Sequence, residues 1–283
     1  MDEADVPTDV SDTARWVAAY RAQESARPDA LFRDPLADKL AGEQGRAMAA
    51  AAERTLSGGW PIVVRTKLID DLIRDCLAQG CDRVLNLAAG FDTRPYRLDL
   101  PPELLWVEAD LPAMTHEKEA ALAGATPKCA LLRRAVDLAD EQARQAFLDE
   151  ALDAHEPANK PATKALVLTE GLLSYLEPDT VAGLATVLDR PEIAWWIADI
   201  ALGLAKMKLS MFRNAPLRFD PPNGVAFFEE LGWRITDMEP IFINARKLRR
   251  MPWYMRPFTY LPQPNPRKPG RQVWSAVTRL QHE

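Results

Sequence analysis

Apolar positions recur at helical spacing through the first sixty residues, then give way to short, nearly continuous apolar runs separated by amphipathic stretches. In residues 13–23 (TARWVAAYRAQ), Trp16, Ala19, Tyr20 and Gln23 share one side of a helix. Residues 29–42 (DALFRDPLADKLAG) predict a second short helix stopped by Gly42, and residues 44–56 an alanine-rich third, ended by Ser57-Gly58-Gly59. Because all three precede any strand, residues 13–59 read as an N-terminal helical cap, while residues 1–12 read as disordered until packed on something. Pro61 opens the next helix, whose buried face carries Leu68, Ile69, Leu72, Ile73 and Leu77 before Gly80 ends it.

From there strand and helix alternate. Strands are expected at 84–87, up to 110, at 129–136, 165–169 and 193–200, with helices at 112–124, 139–155, 179–188 and 201–212. Five such repeats imply an α/β fold with a doubly wound, mostly parallel sheet. The tail differs: a helix at 225–231, a strand from Trp233, a proline-rich loop, and a last strand at 272–280. Two late strands joined by a loop predict an antiparallel C-terminal edge and bring the sheet to seven strands. With no linker between them, cap, core (60–200) and C-terminal part (201–283) read as one domain of 283 residues.

Residues 83–110, RVLNLAAGFDTRPYRLDLPPELLWVEAD, organise this pattern. A buried strand runs into the small-residue turn Ala88-Ala89-Gly90, and Asp110 ends the second strand twenty residues later. That is where an open α/β sheet holds the carboxylate that accepts ribose hydroxyls. The G-x-G-x-x-G cradle for a pyrophosphate is missing: Ala88 and Phe91 stand in place of glycines, and Asp92 and Asp99 add negative charge. A nucleotide-dependent oxidoreductase is thereby disfavoured. A nucleoside without phosphates fits better, S-adenosylmethionine being the common one.

Composition narrows the setting. A net charge of −6 argues against a nucleic-acid partner, and the cluster at Arg246, Lys247, Arg249 and Arg250 reads as a solvated edge. Three cysteines (Cys76, Cys81, Cys129) without a CxxC pair suggest reduced thiols, neither a disulfide framework nor a metal site. The acidic, polar start does not read as a signal or transit peptide, and the longest apolar run, 193–205, carries Asp199 and is too short for a bilayer. A cytoplasmic protein with no membrane partner is expected; the oligomeric state is not legible.

Four acids, Asp92, Asp110, Asp137 and Glu170, sit at or just after strand ends, where such sheets bind ligands and where negative charge suits a cation. The segments RTKLIDDLI, VLNLAAGFDTRPYRL, WVEADLP, VDL and LTEGLLSYL occur in order, and the chain resembles the leucine carboxyl methyltransferase-like family across residues 13–200. The resemblance implies a class I, Rossmann-like S-adenosyl-L-methionine-dependent methyltransferase of the bacterial small-molecule O-methyltransferase branch, releasing S-adenosyl-L-homocysteine. It implies that Arg65 holds the methionine carboxylate, and that the turn from Ala88 to Gly90 lines the methionine and ribose. It further implies Asp110 at the ribose hydroxyls, Asp137 and Leu138 beside the adenine, and Glu170 toward the methionine amino end.

Many relatives carry glycine at the position of Ala88, so a loss of positive φ there and weaker cofactor binding are expected. Tyr175 is the candidate catalytic residue, and Trp16, Tyr20, Trp195 and Trp196 are either core or the wall of an aromatic pocket. None of His116, His155 and His282 has the placement of a base. This favours a carboxylate or acidic phenol on a small-molecule acceptor and leaves a tyrosine or carboxylate base open. A non-catalytic cofactor-binding regulator and a methyltransferase of protein C-terminal carboxylates are the alternatives.

Overall fold

A computed structural model describes residues 10–55, 58–153, 162–204 and 216–282. Helices α1 (Val10–Ser25) and α2 (Ala37–Thr55) precede the first strand and pack through Ala18, Ala19, Tyr20, Leu40, Ala41 and Ala49. Small residues let the backbones meet: a Cβ on Gly45 would lie 2.5 Å from the Arg15 carbonyl oxygen, and one on Gly59 2.0 Å from the Tyr20 ring. The expected helix over 29–42 is a correction. Residues 29–36 are turns, because Pro35 keeps Asp34 out of the helical region and the Asp34 Oδ1 accepts the Leu36 N–H instead (3.2 Å). Gly42, at φ 59°, kinks α2 without ending it.

The strands are β1 (Arg83–Leu87), β2 (Leu105–Asp110), β3 (Ala130–Ala135), β4 (Ala165–Thr169), β5 (Ile193–Leu202), β6 (Trp233–Pro240) and β7 (Trp274–His282). They form one sheet in the order β3-β2-β1-β4-β5-β7-β6. The first five run parallel, in a register that sets Leu85 between Val107 and Val167. β1 and β4 are buried along their whole length, as strands covered on both faces must be. The side-chain alternation of strands divides the core in two. Leu85, Leu87, Val107, Val167 and Trp196 pack under α4 (Glu141–Asp153) and α5 (Pro178–Val187), while Val84, Trp106, Leu166, Leu168 and Trp195 pack under α3 (Trp60–Ala78). Pro61, Pro112 and Pro178 each stand in the first turn of a helix, where no backbone donor is lost.

The two late strands make the expected antiparallel C-terminal part, while the helices around them differ from expectation. β7 is antiparallel to both β5 and β6, so the reversed strand lies inside the sheet and β6 is the edge. Residues 201–202 extend β5, since Ala201 and Leu202 pair with Ser275 and Trp274; the remainder of the expected helix at 201–212 falls largely outside the described residues. The helix expected at 225–231 is one turn, Ala226–Glu229. The stretch between β6 and β7 also holds a helix over Ile241–Lys247 and a 3-10 helix over Trp253–Tyr260. Among the described residues no helix is long and apolar enough to cross a membrane.

Candidate active site

The strand order reverses direction of travel between β1 and β4, and a cavity of about 320 Å³ opens beyond the carboxyl ends of β1 to β4. Arg65, Ala88, Gly90, Asp110, Asp137, Leu138, Glu170 and Tyr175 all line it. Residues from five separate segments therefore meet in one place. The described histidines, His116 and His282, do not line it; His155 lies outside the described residues. Trp16, Tyr20, Trp195 and Trp196 do not line it either: Trp195 and Trp196 lie in the cores on opposite sheet faces, and Trp16 packs edge-on against Tyr20.

The turn after β1 is fixed from across the sheet. Asp110 accepts the Gly90 N–H through Oδ2 at 2.6 Å and the Leu111 N–H through Oδ1 at 2.8 Å. Each oxygen keeps a lone pair for a further donor. Burial raises the Asp110 pKa, partly offset by these two backbone donors. Ala88 corrects the expectation placed on it. It adopts φ 54°, the left-handed conformation, despite its methyl group, so the turn keeps its shape at a cost of about 1–2 kcal/mol. Asp137 is exposed in the loop after β3 and caps that turn by accepting the Ala139 N–H (2.9 Å), while the Leu138 carbonyl accepts Arg144 Nη1 (2.7 Å).

The cavity floor is a buried ionic chain that spacing alone does not reveal. Glu170 accepts Arg65 Nε at 3.0 Å and Arg94 Nη1 at 2.7 Å, one arginine on each oxygen. Arg65 Nη1 also donates to Asp199 (2.9 Å), whose other oxygen accepts the Gly171 N–H (2.6 Å). Arg94 Nη1 donates to Asp92 (2.7 Å), and its Nε to Asp70 (2.8 Å), which takes both terminal nitrogens of Arg97 at 2.6 and 2.7 Å. Asn86 completes the set, donating to Asp92 at 2.9 Å. Burial opposes the charges on Glu170, Asp92 and Asp70, but the neighbouring guanidiniums outweigh it and hold all three pKa values below the ordinary carboxylate range. Across the cavity lining four acids (Asp92, Asp110, Asp137 and Glu170) meet four arginines (Arg21, Arg65, Arg94 and Arg144), a balance that suits a ligand carrying charges of both signs.

Among the described residues, three buried arginine nitrogens around the cavity have no hydrogen-bond partner: Arg94 Nη2, Arg97 Nε and Arg144 Nε. Arg94 is almost fully buried, it lines the cavity, and its Nη2 has no hydrogen-bond partner. A buried guanidinium nitrogen of this kind fits an anionic oxygen supplied by a ligand. Sequence reading missed Arg94, Asp70, Arg97 and Asp199. The string GFDTRPYR contained two of them, but an arginine after a strand-end turn carries no signal of which acids will surround it. Tyr175 sits on a 3-10 turn (Leu173–Tyr175), half-buried, and burial raises its phenol pKa. At neutral pH it is a hydrogen-bond donor, and the tyrosine base left open by the sequence is disfavoured. The three thiols are buried and form no disulfide, with burial pushing Cys81 and Cys129 up to about 12. No group of His, Cys, Asp and Glu among the described residues has the geometry to hold a metal ion.

The family model for leucine carboxyl methyltransferase matches residues 14–188. A Streptomyces coelicolor protein provisionally named as an S-adenosyl-L-methionine-dependent methyltransferase is 37% identical over 185 residues, 62% of this chain and 62% of its own. A Mycobacterium tuberculosis protein with the same provisional name is 34% identical over 273 residues, covering 83% of this chain and 76% of its own. The alignments with the Streptomyces relatives thus span less than two thirds of those proteins. In fold, the chain is similar to a DUF574 family protein from Streptomyces avermitilis (TM-score 0.58, 15% identity, 94% of this chain and 96% of that one). It is also similar to a protein from Thermobifida fusca provisionally titled a methyltransferase (TM-score 0.60, 17% identity, 100% and 97%). By the extent of the family match and the identity to these relatives, the chain belongs to the leucine carboxyl methyltransferase family.

Proposed function

We propose that the protein is an S-adenosyl-L-methionine-dependent O-methyltransferase acting on a carboxylate or hydroxyl of a small molecule. The observation that carries this reading is the convergence of Arg65, Ala88, Gly90, Asp110, Asp137, Leu138 and Glu170 on one cavity at the carboxyl ends of the parallel strands. The residues fit the cofactor. The unpartnered Nη2 of Arg94, with Arg65 beside it, suits the methionine carboxylate. The carboxylates of Glu170 and Asp92 suit the amino group and sulfonium, and the free lone pairs of Asp110 suit the ribose hydroxyls. Leu111, Met114 and Leu138 give the adenine an apolar slot, with Asp137 at its rim.

The cofactor, when bound, supplies the activated methyl group and a neutral thioether leaving group. What the chain contributes is alignment, worth about 7–11 kcal/mol when acceptor and methyl are held in line. Thr13, Val17, Leu172, Tyr175, Leu176 and Thr180 form the side of the cavity left for the acceptor, largely apolar with hydroxyls from two helices and one turn. Tyr175 donates a hydrogen bond to the acceptor and holds its lone pair toward the methyl. No carboxylate on the floor is a strong base, because guanidiniums hold Asp92 and Glu170 ionised and weakly basic. This favours acceptors already ionised near neutrality. The buried, unlinked thiols support a cytoplasmic setting.

The test is transfer of a labelled methyl group to a panel of small carboxylic acids, acidic phenols and alcohols. Product formed from the first two classes and not from unactivated alcohols is expected. Labelled cofactor bound but transferred to none of them would favour the regulatory alternative, and transfer only to a peptide C-terminus would move the acceptor to a protein.

A further inference from the structure

Charge is unevenly divided along this chain: residues 241–282 contain nine of its 35 Lys and Arg and none of its 41 Asp and Glu. The same segment displays the largest exposed apolar side chains. In the 3-10 helix Trp253–Tyr260, Trp253 is 79% exposed, Tyr260 76%, Phe258 57% and Tyr254 52%, and Leu261 follows at 58%. Met251 and Thr259 are buried and Met255 packs on the core, so the helix is anchored from beneath while its aromatic rings point out. Pro252, Pro257 and Pro262 stiffen it, which lowers the entropic cost of presenting those rings. Arg246 lies over the Tyr260 ring at 4.4 Å and joins the basic turn to the aromatic one. Lys247, Arg249, Arg256, Lys268 and Arg271 are exposed and make no ion pair with a described residue.

We propose that this surface docks the protein on an anionic lipid bilayer, with Trp253, Phe258, Tyr260 and Leu261 entering the headgroup region and the surrounding cations meeting lipid phosphates. Aromatic rings flanked by Lys and Arg are the side chains that settle at a membrane–water boundary. Two other occupants fit less well. Although Arg250 and Arg267 are paired with Glu24, Asp29 and Glu229, a self-complementary contact with a second copy would set the unpaired cations Lys247, Arg249, Arg256, Lys268 and Arg271 against themselves. Single-stranded nucleic acid needs ring faces on which bases stack, whereas Trp253 and Tyr254 stand at 86° to each other and Leu261 offers no face. The expectation of no membrane partner rested on the lack of a spanning segment, which does not bear on surface docking.

Sedimentation of the full chain with vesicles tests this without cofactor or acceptor, so its outcome is independent of methyl transfer. Binding is expected to vesicles of equal parts phosphatidylcholine and phosphatidylglycerol, not to phosphatidylcholine alone, and to weaken with salt. Removing Lys247, Arg249 and Arg256 as glutamines should lower partitioning roughly fivefold per cation. The pair Trp253→Ser and Tyr260→Ser should abolish binding at moderate salt, while circular dichroism stays that of the wild type. The proposal is overturned by absence of binding to anionic vesicles at low salt, or by binding that neither variant alters. It is equally overturned if light scattering shows self-association, or a gel shift shows single-stranded RNA binding, that both variants remove while lipid binding is lacking.

Discussion

Asp110 accepts the Gly90 N–H at 2.6 Å, tying the turn after β1 to the tip of β2 across twenty residues of chain. The contact shapes the cavity wall and leaves each Asp110 oxygen a lone pair for a further donor. Turn and carboxylate are therefore one unit, and changes in either are felt by the other.

Ala88 stores strain in that unit. Replacing Ala88 by Gly relieves the left-handed penalty but adds freedom to the unfolded chain, for a net stabilisation of about 1 kcal/mol. Thermal unfolding should shift upward by roughly 2 °C. Because the turn already has its working shape, cofactor affinity should change by less than about threefold in calorimetry, since the strain is not relieved by binding. A large gain in affinity would mean that the wild-type turn is misshapen without ligand.

The ionic floor should be costly to break. Asp70→Asn takes from buried Arg97 the carboxylate that holds both its terminal nitrogens, and from Arg94 the partner of its Nε, and a loss of about 3–5 kcal/mol is expected in urea unfolding. A change under 1 kcal/mol would show that the chain Asp70–Arg94–Glu170–Arg65 is solvated in solution.

Acid should unfold the protein through the same residues. Asp70, Asp92 and Glu170 have pKa values lowered by folding, so the stability they contribute is complete above the unfolded carboxylate range, about pH 4, and is lost as pH falls through their folded values. Asp110 is shifted the other way, and its contribution is present below the unfolded value and fades as pH rises through the folded one. Urea midpoints measured from pH 7 down to pH 2 should fall steeply only below about pH 4, and Asp70→Asn should flatten that slope.

Tyr175→Phe separates acceptor positioning from cofactor binding. A roughly tenfold fall in kcat/KM for the acceptor is expected with an unchanged cofactor Kd, because one hydrogen bond of about 1.5 kcal/mol is removed. With the phenol pKa raised, the wild-type rate should have no limb near neutrality that the variant lacks.

Much of this was legible in the sequence where local pattern and fold agree. The apolar runs placed β1, β3, β4 and β5 to within two residues and the end of β2 at Asp110, and the strand-end rule brought Asp110, Asp137 and Glu170 to one cavity. What was not legible depends on tertiary pairing. β7 enters between β5 and β6 because of partners far away in the chain, from Pro240 paired with Ala276 to Trp196 paired with Leu280, and nothing in its alternation tells an inner strand from an edge. Arg94 and Asp70 look like surface charges until α3 and the β1 turn bury them together. Ala88 misled for the opposite reason: a general preference against positive φ yielded to a turn held by Asp110.

Isothermal titration of S-adenosylmethionine and S-adenosylhomocysteine into wild type and Asp110→Ala tests the central claim most directly. Losing hydrogen bonds to a charged acceptor should cost about 1.5–3 kcal/mol, so micromolar binding by the wild type and at least a tenfold loss in the variant are expected. Absence of binding by folded wild-type protein, or equal affinity in the two proteins, would contradict the assignment of this cavity to the cofactor.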